Sequence, residues 1–458
     1  MDASFILIAL ALVMTLGSIL IRLLNKKTLL FAFNCLMLIL LLAGFAYFYY
    51  SGIGTPPELI VNTFAINPFS IFFGAMFTAG MLLVNMLAEK YSENYGDFAI
   101  ISNFALLGMY VVSSSVSLIT IFVGLELATL PAVFLILLSR GTIEAATKLF
   151  ITAAIAIAIL SFAIVLLYGA SNSFALKSYS QSTIIAFAAL LFVAALGFEA
   201  SIFPFNVLIP DIYTGSSAYV TAMLGGVNKK VGFAALLQVL LLVFITNKEL
   251  FLFVAVLSTL TMFYGNIVAL LQNNTKRMLA YSSISQAGYI LIGVAVASQA
   301  GITAAIFQIF SHMFIFIGML GILAFLESKN RKEVNDLIGL SGENSLAAFS
   351  LSLFMLSLIG LPLTTGFVGK FLLFLSAINA GLIWLAVIGI INTAISVFYY
   401  VKAIMAMYAN KEGARHLSMP LSLRFVVIIC ILITVIFGIY PGPLVNLASG
   451  AATYLIPK

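Results

Sequence analysis

MLGGVNKKVGFAALLQVLLLVF, residues 223–244, decides how this chain folds. A helix needs about 20 apolar residues to cross a hydrocarbon core of about 30 Å, and this run is of that length. Yet Lys229 and Lys230 sit in its middle, too deep for their ammonium groups to reach water easily. A charge at the bilayer centre costs about 2.5–3.5 kcal/mol even on the lenient insertion scale. The pattern recurs elsewhere. Glu126 lies in SLITIFVGLELATLPAVFLILL (117–138), Glu199 in AALLFVAALGFEASIFPF (188–205) and Lys370 in LPLTTGFVGKFLLFL (361–375). Ionisable groups kept inside apolar spans mark a proton or ion pathway.

Composition agrees with that class. Of the 458 residues, 63% are hydrophobic and only 8% charged, against about 25% charged in soluble domains. The chain is therefore expected to be an all-α polytopic membrane protein embedded in the lipid bilayer. Its net charge of +6 is spread thinly over short loops and is no nucleic-acid footprint. Cys35 and Cys430 both fall inside spans and have no CxxC partner, so neither suggests a metal or iron–sulfur site. The sequence has no glycine-rich nucleotide loop, and its only histidines are His312 and His416. No nucleotide, flavin, haem or cluster site is expected on this chain, so energy for uphill transport must come from another subunit.

A 20-residue ruler gives about fourteen spans, near 3–24, 28–50, 68–88, 98–115, 117–138, 145–170, 183–209, 217–245, 248–271, 278–298, 301–326, 345–376, 381–408 and 421–443. Basic residues gather in loops after odd-numbered spans: Arg22, Lys26, Lys27, Lys90, Arg140, Lys276, Arg277, Lys329, Arg331, Lys332, Lys411 and Arg415. The other loops hold little beyond Lys177 and Lys248. Short basic loops stay cytoplasmic, so both termini are expected outside. Span seven contains Pro204 and runs into Pro210; span twelve contains Gly360 and Pro362. Proline removes a helical donor, and paired breaks in corresponding positions point to a transporter site between inverted repeats. The spacing predicts two five-helix repeats, spans 4–8 and 9–13. Residues 1–97 then form an N-terminal three-helix segment, 98–245 and 246–408 the two half-channel repeats, and 409–458 a loop with the last helix.

Lys229 and Lys230 point about 100° apart on a helix, so they cannot share one small pocket. His312 is mid-span, and an imidazole is the natural relay near neutral pH. Lys148 lies a turn inside its helix, where it either snorkels to the interface or joins the buried set. Thr364, Thr365, Ser283, Ser285, Gln286 and Tyr289 offer hydroxyls and amides beside these groups, for connecting waters or for plain helix contacts.

GLELATLP (124–131), PFNVLIPDIYTG (204–215), VNKKVGFAALL (227–237), TKRMLAYSSISQAGY (275–289) and GLPLTTGFVGKF (360–371) together resemble the antiporter-like membrane subunits of respiratory complex I. The subunit N kind is the most similar, with Mrp-type antiporter and membrane-bound hydrogenase subunits as relatives. The resemblance implies a proton-translocating subunit of a complex I-like enzyme in a prokaryotic plasma membrane. Quinone, iron–sulfur clusters and a flavin or deazaflavin would then belong to partner membrane and redox subunits. The alternative is a secondary cation/proton antiporter subunit. It further implies that Glu126, Lys229, His312 and Lys370 form a line of charged groups at mid-membrane. One position departs from the pattern: where relatives read Gly-Phe-Lys before Pro-Phe, this chain has Glu199. Lys230 or Lys148 is expected to supply the missing positive charge beside Glu126. Asn206 replaces a histidine that usually follows the Pro-Phe pair and cannot titrate.

Overall fold

The computed structural model describes residues 3–52, 63–139, 142–179, 182–411 and 416–456; Arg140 and Arg415, used above for orientation, lie outside them. Among the described residues, seventeen helices of seven residues or more carry the fold. They are α1 (Ala3–Leu23), α2 (Lys27–Ser51), α3 (Pro68–Tyr91), α4 (Tyr95–Ser113), α5 (Leu118–Leu138), α6 (Ile143–Ser171), α7 (Thr183–Ala200), α8 (Ile209–Gly215), α9 (Ala218–Val243), α10 (Lys248–Leu270), α11 (Thr275–Val296), α12 (Gln299–Glu327), α13 (Ser345–Ile359), α14 (Thr365–Asn379), α15 (Ile383–Tyr408), α16 (Leu421–Ile439) and α17 (Gly442–Leu455). Among the described residues, twelve are long and apolar enough to cross a membrane, and α13 and α14 are shorter apolar helices. Among the described residues the only β-type pairings are isolated bridges.

The expected spans map onto these helices with two corrections. Span seven is not one helix to residue 209: α7 stops at Ala200, and α8 begins only at Ile209. Pro204 falls in the gap, and the N–H of Phe203, left without a helical acceptor, donates to the Thr261 hydroxyl at 3.1 Å. Pro210 sits in the first turn of α8, where its missing N–H does no harm. Span twelve is likewise two helices. α13 ends on Gly360 in the left-handed region (φ 107°), and α14 starts after Pro362 and Leu363. Two features have no counterpart in the sequence reading: the C-terminal helix α17, and π-helical stretches at Ala222–Asn228 and Val239–Val243 on either side of Lys229–Gln238 within α9.

The chain divides into two compact units. The first comprises Met1–Ser201, Val227–Phe253 and Leu447–Lys458; the second comprises Ile202–Gly226 and Val254–Asn446. Burial separates interior from outer helices. The most apolar windows of α9, α11 and α12 are each 94% buried, against 28% in α6. Lys229 and Lys230 sit on α9 and His312 on α12, while buried Lys370 is on the shorter α14, and outer helices such as α6 present Phe150, Ile151, Phe162 and Val165 outward.

One loop clamp in the second unit titrates outside the spans. Glu343, almost fully buried, accepts a two-pronged ion pair from Arg331 and a 3.1 Å bond from Lys411. The hydrogen bond from Arg331 holds its carboxyl below the usual range. A lowered carboxyl contributes stability above its unfolded pKa of about 4.3 and loses it as pH falls through the folded value. Glu343→Gln is therefore expected to destabilise the protein by about 1–3 kcal/mol near neutral pH. In thermal melts of the purified protein, the gap from wild type closes only below about pH 4.

Candidate functional site

In the first unit, α5 and α7 bring two carboxyls together. Glu126 is half-buried on α5 and Thr129 is three residues on, the same face of a helix. Glu199 sits near the end of α7 in the same compact unit, with its carboxyl near that of Glu126. The Thr129 hydroxyl itself donates to the Leu125 carbonyl, which ties it to its own helix.

The expected replacement ion pair is not built. Glu126 and Glu199 form no ion pair among the described residues, and the Lys148 ammonium pairs with Glu144 one turn earlier, at 2.6 Å. The reason is local. Glu144 is four residues before Lys148 on α6, the spacing that puts two side chains side by side. Lys230 is fully buried on α9 but two residues from Gly232, the point where α9 rests on α7. A Cβ at Gly232 would stand 2.7 Å from the Glu199 Cβ, so only glycine allows that approach. Lys229, three residues before Gly232, shares its face, whereas Lys230 is turned about 160° away.

In the second unit, the break after α13 seats Lys370. The Leu358 carbonyl would normally receive the N–H of residue 362, but that residue is proline and has none. Lys370 takes the vacated place. Its Nζ donates to the Leu358 carbonyl at 2.7 Å, to the Ile359 carbonyl at 3.3 Å and to the Thr393 hydroxyl at 3.4 Å. It also stands 4.3 Å from the centroid of the Tyr289 ring, within cation–π range. Three acceptors and an aromatic face are a socket for a positive charge. Pro362, lacking an N–H, leaves the Leu358 carbonyl open to the Lys370 ammonium.

His312 is buried on α12, and its ring stacks on Phe316 with centroids 5.2 Å apart. One turn before it, the Gln308 side chain donates to the Gln286 carbonyl oxygen at 3.1 Å, and Gln286 donates in turn to the Leu358 carbonyl at 3.5 Å. Ser311 donates to Thr365 at 2.8 Å. This amide chain leads from the turn before His312 to a carbonyl that holds Lys370. Asn206 is fully buried after the first break, with no protein partner for either amide atom. Sequence reasoning noted Gln286 and Tyr289 but missed Gln308 and Thr393. Nothing in their local patterns distinguishes them from ordinary helix contacts.

Interior helices broken beside prolines, with buried ionisable side chains next to the breaks, define a polytopic membrane protein built in the manner of secondary transporters. The chain belongs to the NADH:quinone oxidoreductase/Mrp antiporter transmembrane family, whose model matches residues 115–396. It is 32% identical over 459 residues to NADH-quinone oxidoreductase subunit N of Desulfitobacterium hafniense, covering 92% of each chain. It is also 32% identical over 432 residues to F(420)H(2) dehydrogenase subunit N of Methanosarcina mazei, covering 89% of this chain and 88% of that one. Among solved structures, a chain of respiratory complex I from Thermus thermophilus superposes with a TM-score of 0.85 at 28% identity. That match covers 97% of this chain and 99% of the other.

Proposed function

We propose that this chain is a proton-translocating membrane subunit of a complex I-like respiratory enzyme in a prokaryotic plasma membrane, with both termini outside. The reading rests on family membership and above all on the Lys370 socket, where a broken helix presents backbone carbonyls to a buried ammonium. Glu126 and Glu199 exchange a proton in the first half-channel, residues 98–245, and Lys229 carries it onward with Lys230 as its immediate neighbour. His312 relays and Lys370 releases in the second half-channel, residues 246–408. Lys148, paired with Glu144, sets the charge at the mouth of the first.

The chain supplies no redox centre in this scheme. Quinone, iron–sulfur clusters and a flavin or deazaflavin sit on partner subunits, and quinone reduction there shifts the electrostatics that drive proton uptake and release. Relatives named for NADH and for F(420)H(2) leave the electron donor open. A second reading, a cation/proton antiporter subunit, is favoured by one observation: the paired carboxyls of Glu126 and Glu199 are hard ligands suited to sodium. Affinity purification from the native membrane separates the two. Co-isolation with iron–sulfur and quinone-binding subunits, and pumping driven by quinone reduction, are expected. Isolation with transporter-type subunits alone, with sodium-dependent exchange, would establish the antiporter instead.

A further inference from the structure

The pathway described so far leaves the ion pair of Lys276 and Glu327 unused. In the second unit, Lys276 at the start of α11 and Glu327 at the end of α12 meet at 2.7 Å, with the lysine side chain only 7% exposed. The contacts around them bind four helix ends. Lys276 Nζ also donates to the Ser216 carbonyl at 2.6 Å, just past α8. The Ala218 N–H, which opens α9, donates to the second Glu327 oxygen at 2.9 Å. A neighbouring pair, Arg277 with Asp211, is about one-third exposed and is an ordinary surface bridge. Burying the Lys276 pair has a desolvation cost that a clamp of apolar residues would avoid.

A second observation points inward from it. Thr275, 2% exposed, and Ser217 both carry buried hydroxyl oxygens with no protein partner, and they flank the residues that hold the pair. Buried hydroxyls of that kind are sites where water is held. Beyond them the polar side chains continue. The Ser216 and Thr221 hydroxyls share a hydrogen bond at 2.8 Å, and Thr221 reaches the Tyr213 carbonyl at 3.2 Å. The Tyr213 phenol interacts with the Ser283 hydroxyl, and its ring lies 6.1 Å from Phe316, on which His312 stacks. Gly225 makes room for the phenol, since a Cβ there would stand 2.6 Å from its oxygen. The trail runs from a charged pair at one end of the unit to the ring beside its histidine.

We propose that Glu327 and Lys276 form the proton entrance of the second unit, on the face that bears Lys329 and Arg331. Ser216, Thr221, Tyr213 and Ser283 mark the route toward His312, and water bridges the steps that side chains do not span. Glu327 takes a proton from solvent and hands it to water held beside the Ser217 and Thr275 hydroxyls, returning to the carboxylate that Lys276 faces. Each hydroxyl along the route then takes one proton and releases its own, so no net charge is left behind. This rests on the proton-translocating reading above.

The test uses the whole complex in proteoliposomes. Glu327→Gln is expected to lose proton translocation, Glu327→Asp to regain it, and Tyr213→Phe, which removes one oxygen, to lower it. A clamp without a proton role also separates Gln from Asp, so the deciding readouts are Tyr213→Phe, which leaves the ion pair intact, and the Ser217→Cys label. As a readout apart from turnover, Ser217→Cys is expected to react with a membrane-impermeant thiosulfonate from the Lys329 face only, above the background of Cys35 and Cys430. Wild-type translocation in Tyr213→Phe overturns the entrance whatever the label shows, as does a Ser217→Cys thiol inert from both faces. Should Glu327→Gln not assemble, those two variants decide. If wild type itself translocates no more than Lys370→Ala, the proton-pumping reading fails. If wild type pumps and these variants match it, only the entrance falls.

Discussion

Lys370→Ala abolishes or sharply reduces coupled proton translocation while the complex still assembles. The substitution removes the one group that the second break is shaped to receive. Nζ touches the Leu358 and Ile359 carbonyls and the Thr393 hydroxyl over the face of Tyr289, and alanine reaches none of them. The structural penalty is modest. The Leu358 and Ile359 carbonyls lose this donor, at a cost of about 1–3 kcal/mol for a buried group left unpaired, and water can enter to replace it. The functional penalty is large, because no neighbouring basic side chain takes the same seat in α14. Quench of a pH-sensitive dye in proteoliposomes reads the effect, with subunit content by gel as the control. Wild-type pumping in Lys370→Ala would remove this lysine from the pathway.

Glu199→Lys puts a cation near Glu126 and is expected to leave a complex that assembles and pumps. Glu126 lies close enough to interact with residue 199, and no cation among the described residues competes for it. The new ammonium therefore finds a partner in place. The decisive measurement is a double-mutant cycle. In wild type, Glu126→Gln leaves Glu199 with a neutral neighbour and has a small effect on stability. In the Glu199→Lys background the same change strands a buried ammonium, and the two effects fail to add by about 0.5–3 kcal/mol. Strict additivity would mean the two side chains do not meet. Loss of assembly in Glu199→Lys alone would mean that the packing of Gly232 against Glu199 cannot admit the longer side chain.

Much of the architecture could be read from local chemistry. Bilayer thickness fixes helix length, so the apolar runs marked nearly every span, and Pro204 and Pro362 with their flanking residues marked both breaks, each removing a helical donor, although α5 runs on through Pro131. What the runs could not tell was how far each break extends. Hydropathy stays high across residues 201–208 and 360–364 whether or not the backbone is helical. The helix α17 was missed for the opposite reason: at 14 residues it is too short for the bilayer ruler.

The candidate site was legible only as an inventory. Glu126, Glu199, Lys229, Lys230, His312 and Lys370 announced themselves because a charge in lipid is expensive. Their partners did not. Lys148 was offered to Glu199 on charge grounds, yet the side chain four residues earlier on its own helix took it. Tyr289, Thr393 and the Leu358 carbonyl became the seat of Lys370 through contacts between helices far apart in the chain, which no local pattern encodes. Nor did the sequence reveal that Ile202–Gly226, inside the first repeat by order, packs within the second compact unit. By itself, then, the sequence determined that this chain lives in a membrane, where its helices break, and which side chains bear charge there, since each follows from transfer free energy and backbone valence residue by residue. Which charge meets which acceptor was decided by tertiary packing alone, because hydrogen bonds and ion pairs act over a few ångströms and only the folded chain sets those distances.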